Sequence, residues 1–199
     1  MNPSDKRLLK GEETYNRILH AAIDIISKSG IRGISASKLS ASSQVSKSNI
    51  FHHFKSTEEI PEAVLKMIFD ELILPLDATP VFENLHDFLM HFGLSVITTS
   101  EECKKINKAF FSFYHESMFN DTYKKILGDY LATVKDRLTL QIRRYLKRDL
   151  SDKELNALSS LILSTLDGIG LHTLMKEESR EFLEAWNLQV ELICSWINN

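Results

Sequence analysis

The sequence predicts an all-α protein of about nine helices, a three-helix head followed by a larger helical body. Three observations carry that reading. Apolar residues recur at helical spacing along almost the whole chain. The 199 residues include only seven glycines and four prolines, which leaves little material for turns. The apolar share of 43% and the charged share of 26% are those of an ordinary globular chain. This length suits either one large domain or a small domain joined to a medium one, and a division is expected between residues 1–56 and 57–199.

The first helix is expected over Glu12–Ser29. Its apolar residues Ile18, Ala21, Ala22 and Ile25, with Leu19, Ile23 and Ile26 alongside, make a face broad enough for two neighbours. Gly30 follows where a helix end favours a left-handed residue. Ser35 can cap a short second helix, Ala36–Ser43, with Leu39 as its anchor. Ser46 can cap a third, running to about Phe54, with Val45 and Ile50 placed as a hydrophobic staple. Ser56 offers a further cap, followed by acidic Glu58 and Glu59, for a fourth helix that ends near Leu74, and Pro75 and Pro80 bracket a break.

Five more helices are expected at roughly 82–99, 102–116, 121–148, 151–176 and 179–197. The last two carry apolar residues on two sides. One has Leu155, Leu158, Ile162, Leu166 and Ile169 on one side, with Leu161, Leu171 and Met175 beside it. The other has Phe182, Trp186, Val190, Ile193 and Ile197, plus Ala185, Leu188, Leu192 and Trp196. Such helices need cover on both sides, which either a second copy of the chain or a fully internal position supplies. Exposed apolar patches of that size are rare on monomers, which favours a homodimer.

Charge is distributed unevenly. Residues 1–60 hold nine Lys and Arg against six Asp and Glu, and residues 61–199 hold fifteen against twenty-one, within a total of −3. A basic head on an acidic body suits a head that meets a polyanion. Two short helices joined tightly, the second capped by Ser46, form a helix-turn-helix, whose second helix enters the DNA major groove. At about 100° per residue, with Ile50 and Phe54 inward, Ser48 and His52 point outward and Asn49, Phe51 and His53 lie on the flanks. Asn pairs bidentately with adenine, and Ser and His exchange hydrogen bonds with base edges. Lys47 and Lys55, at the two ends, are placed for phosphates.

The stretch Ile18-Leu19-His20-Ala21-Ala22 with Gly30 and Gly33, then Ser35-Ala36-Ser37-Lys38-Leu39, Val45 through Ser56 and Glu58-Glu59-Ile60, resembles the DNA-binding domain of the TetR family of transcriptional regulators. The resemblance spans about residues 12–65 and is most specific from Val45 to Phe54. It implies a homodimer that binds a palindromic operator in double-stranded DNA as a repressor, with a small-molecule pocket in the body and dimerisation through the last two helices. It adds Ser35, Ser37, Lys38 and Thr57 to the DNA-facing residues. Three positions depart from the family pattern. Gln44 stands where the turn usually has glycine, at a cost of about 1 kcal/mol if φ is positive. Phe51 replaces a tyrosine and brings no hydroxyl, and Thr57 replaces a lysine and brings no charge.

For the pocket, residues 82–130 concentrate aromatic side chains with polar tips, and Phe88, His91, Phe92, Phe113 and Tyr114 are the candidate lining. The same spacing fits packed core. An enzyme would need a nucleophile with its base, a metal cluster or a phosphate-cradling loop, and the sequence carries no such motif, so neither a cofactor nor a catalytic residue is expected. Asp87 and His91 with His86 and His115 are too sparse a set to predict a metal site. A helical interaction protein with a merely structural helix-turn-helix, and a regulator answering to a protein, remain alternatives. Cys103 and Cys194 are expected as reduced thiols. The opening residues lack the apolar core of a signal peptide, and no apolar run is long enough for a membrane span, so a cytoplasmic protein is expected.

Overall fold

A computed structural model describes residues 3–77, 81–97, 100–176 and 180–198. Among these residues lie nine α-helices and no strand: α1 (Pro3–Ser29), α2 (Ala36–Ser43), α3 (Lys47–His53), α4 (Ile60–Asp77), α5 (Leu85–Ile97), α6 (Glu101–Ser117), α7 (Asp121–Tyr145), α8 (Asp152–Thr173) and α9 (Arg180–Asn198). Two 3-10 turns, Ile31–Gly33 and Thr57–Glu59, complete the regular structure. No described helix is long and apolar enough to cross a membrane.

The chain forms two compact units, Met1–Phe69 with Lys105–Lys124, and Asp70–Lys104 with Lys125–Asn199. In the first, α1 packs against α2 and α3. Its broad face is buried as expected: Ile18, Leu19, Ala21, Ala22, Ile23, Ile25 and Ile26 all lie in the core. α1 starts nine residues before the expected Glu12, where Leu8 and Leu9 stand exposed and extend no apolar stripe that would announce the helix. Gly30 has φ 69° and ψ 176°, a region essentially reserved for glycine, and turns the chain out of α1. Residues 105–124 join this unit through Phe110, whose ring meets Phe69, and through ion pairs from Lys105 to Asp24 and from Arg32 to Glu116.

Two expectations near α4 need correction. Ser56 makes no capping bond to a backbone amide. Its hydroxyl instead bonds the Glu58 carboxylate, which with the Glu58 amide holds that carboxyl below its ordinary value. α4 continues through Pro75 to Asp77, three residues past the expected end. A proline in the final turn forfeits a single intrahelical bond, so the helix survives it. Pro80 lies outside the described residues.

In the second unit α5 packs against α8 and α9. Trp186 of α9 is fully buried, and its indole N–H donates to the Leu89 carbonyl at 3.1 Å. The ring lies on Gly93, where an added Cβ would stand 1.9 Å from Trp186 Nε1, so α5 and α9 approach this closely only across a glycine. Buried Gln141 donates from Nε2 to the Leu76 carbonyl at 2.8 Å, and Thr139 and Ser159 share a hydroxyl hydrogen bond. α8 opens with a capping box: Ser151 Oγ accepts from the Glu154 amide, and the Glu154 carboxylate accepts from the Ser151 amide.

Candidate nucleic-acid interface

The helix-turn-helix is built from short-range signals. Ser35 caps α2 by accepting from the Lys38 amide, and Ser46 caps α3 by accepting from the Asn49 amide, each at 3.3 Å. Leu39, Val45, Ile50 and Phe54 are buried and pin the two helices to α1. Tyr15 of α1 stacks on Phe54 with centroids 5.2 Å apart and meets the His53 ring at 6.1 Å. Between the helices Gln44 adopts φ 57°, ψ 27°, the left-handed conformation that the missing glycine would have taken at less cost. Ser43 secures this turn from its buried side. Its hydroxyl donates to the Leu39 carbonyl at 2.7 Å and accepts from the Val45 amide at 3.2 Å.

With the turn so held, one surface of α3 is left open. Lys47, Ser48, Asn49 and His52 are exposed on it, and Ser46, Ser37, Lys38 and Lys55 are exposed around it. Ser48 Oγ lies 3.1 Å from Ser46 Oγ, which ties its hydroxyl to the start of the helix. Phe51 is 46% exposed, so on the flank of α3 it presents a ring to solvent and does not serve mainly as packing. His53, Ser35 and Thr57 are half-buried. Lys38 reaches back to the Gly33 carbonyl at 3.1 Å, and the Thr57 hydroxyl faces Glu58 at 3.3 Å. Either group must leave its present partner to contact a phosphate. Arg17, which the sequence reading passed over, donates to the Ser43 carbonyl at 2.6 Å. No local pattern relates the two, because they stand 26 residues apart.

Residues 18–64 match the family model for bacterial regulatory proteins, tetR family. Over these residues the chain is similar to the TetR family. Among relatives, the Bacillus subtilis (strain 168) protein YvkB, an uncharacterized HTH-type transcriptional regulator, is 29% identical over 138 residues, 64% of this chain and 71% of that protein. A transcriptional regulator from Rhodococcus sp. Rha1 shares the fold with a TM-score of 0.80 over 93% of this chain and 98% of its own, at 18% identity. A regulator from Saccharomonospora viridis, solved in complex with choline, superposes with a TM-score of 0.70 over 90% and 94% at 18% identity. The chain is thus a DNA-binding transcriptional regulator and not an enzyme.

The other candidate residues fall as follows. Leu161, Leu171, Met175, Ala185, Leu188, Leu192 and Trp196 are all exposed, while the opposite stripes of α8 and α9 are buried. Leu161, Leu192 and Trp196 line a groove of about 580 Å³ between the two helices. Phe88 and Phe92 are buried and stack on each other, with Phe88 also stacked on Tyr145 and exposed His91 set against Phe82. Phe113 and Tyr114 belong to the other unit, where Phe113 is buried against Tyr123 and Tyr114 meets Phe110. His86 Nδ1 lies 3.1 Å from Asp87 Oδ1. Among the described residues no three His, Cys, Asp or Glu side chains are grouped as a metal site.

Proposed function

We propose that the chain is a cytoplasmic, homodimeric repressor whose residues 1–56 bind a palindromic operator, α3 lying in the major groove. The observation that carries this reading is the open face of α3. Ser48, Asn49 and His52 are small polar groups on a helix anchored from behind by Ile50 and Phe54, with Lys47 and Lys55 at its two ends. That division suits base reading by the first three and phosphate contact by the lysines. Ser35, Ser37, Ser46, Lys38, His53 and Thr57 border the same surface and are assigned to backbone contact, and Phe51 is assigned to apolar contact at its edge. Duplex binding measured across a salt series tests the reading, with the intergenic DNA upstream of the gene as probe. A steep fall of affinity with salt and a protected palindrome are expected. Absence of binding at low salt would leave a structural helix-turn-helix in an interaction protein.

Dimerisation through α8 and α9 is supported by their open apolar stripes, which a second copy placed across a two-fold axis would cover. Release by a small, mostly apolar molecule is supported by the aromatic wall of Phe88, Phe92 and His91 in the second unit and by the choline-bound neighbour. Phe113 and Tyr114 are retained as a separate candidate cluster in the first unit. Titration of a panel of apolar and cationic metabolites against operator release distinguishes this from control by a protein.

A further inference from the structure

The turn between α2 and α3 has a feature that the match over residues 18–64 does not include. Gln44 is the one non-glycine residue with positive φ among those described, so this turn holds its shape against the preference of its own backbone. The preceding helix ends beside it with no basic residue of its own in the last turn. Its last carbonyls carry the negative end of the helix dipole and favour a cation. Arg17, one residue before the matched stretch, supplies that cation from α1 and donates from its guanidinium to the carbonyl of Ser43, the residue immediately before Gln44. The Ser43 hydroxyl meanwhile bridges Leu39 and Val45. Ser43 is therefore held at both its carbonyl and its side chain, and the peptide that enters the left-handed residue cannot rotate without breaking these bonds.

We propose that Arg17 is a positioning residue for the recognition helix: its bond to the Ser43 carbonyl keeps the glycine-free turn, and so the start of α3, in the geometry that presents Ser48, Asn49 and His52. The consequence for DNA affinity rests on the function proposed above, whereas the effect on the turn does not. A reading helix displaced by a fraction of an ångström loses its hydrogen bonds to base edges, so a turn-holding bond on α1 tunes affinity from behind the interface.

Two measurements on the full chain test this with Arg17→Ala, Arg17→Lys, Gln44→Gly and the double variant Arg17→Ala/Gln44→Gly. Amide hydrogen exchange over Val45–Phe51, in protein without DNA, should quicken about tenfold in Arg17→Ala. Arg17→Lys should lie between it and the parent, and Gln44→Gly should restore protection in the double variant, because glycine takes the left-handed conformation unaided. Affinity for the upstream intergenic duplex should fall and recover in the same order, with an unchanged salt slope. Unchanged exchange in Arg17→Ala, or no rescue by Gln44→Gly, overturns the proposal. A salt slope lowered by about one with exchange unchanged would make Arg17 a direct phosphate ligand instead. If the parent binds no duplex, the functional reading fails while the exchange data still decide the role of Arg17.

Discussion

Single side chains divide into those that face DNA and those that hold the scaffold, and substitutions separate them. Asn49 is exposed on α3 beside the Ser46 cap. Asn49→Ala should cost about 1–3 kcal/mol on the operator and little on random duplex, read by competition binding. Equal losses on both would remove its base-reading role. Lys47→Gln and Lys55→Gln should weaken both duplexes alike and each flatten the salt dependence by about one unit. Gly93 belongs to the other class. An alanine there would drive its methyl into the Trp186 ring, which is fixed by its bond to the Leu89 carbonyl. Gly93→Ala should therefore destabilise by about 3 kcal/mol, the upper part of the overpacking range, with a shift of the denaturation midpoint and of Trp186 emission.

At the scale of the element, helix ends are decided by local chemistry, and one of them titrates. The Ser151 hydroxyl and amide both bond the Glu154 carboxylate, and these bonds, ahead of the smaller attraction of Arg148, hold its pKa below the ordinary 4.5. A carboxyl whose folded pKa is depressed stabilises the fold above its unfolded pKa and loses that contribution as pH falls through its folded pKa. Glu154→Gln should accordingly lower the Tm at neutral pH, and the difference from the parent should shrink below about pH 4.5. A gap that stays constant down to strong acid would show that the carboxylate charge plays no part in the cap. α3 lacks this box. Its N3 position is Asn49, so the Ser46 cap works in one direction only, and the reading helix relies on buried Ile50 and on the turn before it.

For the whole molecule, the open stripes of α8 and α9 carry the next expectation. Leu192 is 59% exposed, so Leu192→Glu leaves the core of a single chain untouched. If a second copy covers the groove, this variant should sediment as a monomer with an unchanged thermal midpoint at high dilution, and should bind an operator only as weakly as a half-site permits. A variant that still sediments as a dimer would place the interface elsewhere. Ligand control makes a reciprocal demand: any metabolite that weakens operator binding must itself be bound more weakly, by the same factor, in the presence of operator. His91→Ala should then alter the response to ligand without changing ligand-free DNA affinity, since His91 is exposed at the edge of the aromatic wall.

Much of this was legible in sequence because the signals are local. Periodicity told which faces of α1, α8 and α9 are apolar, and the serines Ser35 and Ser46 told where α2 and α3 begin. The left-handed conformation of Gln44 was suggested only by the resemblance, which puts glycine at that position, and the structure supplies it. Interactions between distant residues were hidden. Nothing in the spacing pairs Gly93 with Trp186 or Arg17 with Ser43, since each contact exists only once separate helices have docked. The aromatic run 82–130 reads as one cluster along the chain, yet packing sends Phe88 and Phe92 to one unit and Phe113 and Tyr114 to the other. Sequence by itself determined the helices and their apolar stripes, because these depend on neighbours within a turn or two. Tertiary structure alone decided which stripe the chain covers and which it leaves open, because burial is a property of the partner surface as much as of the stripe.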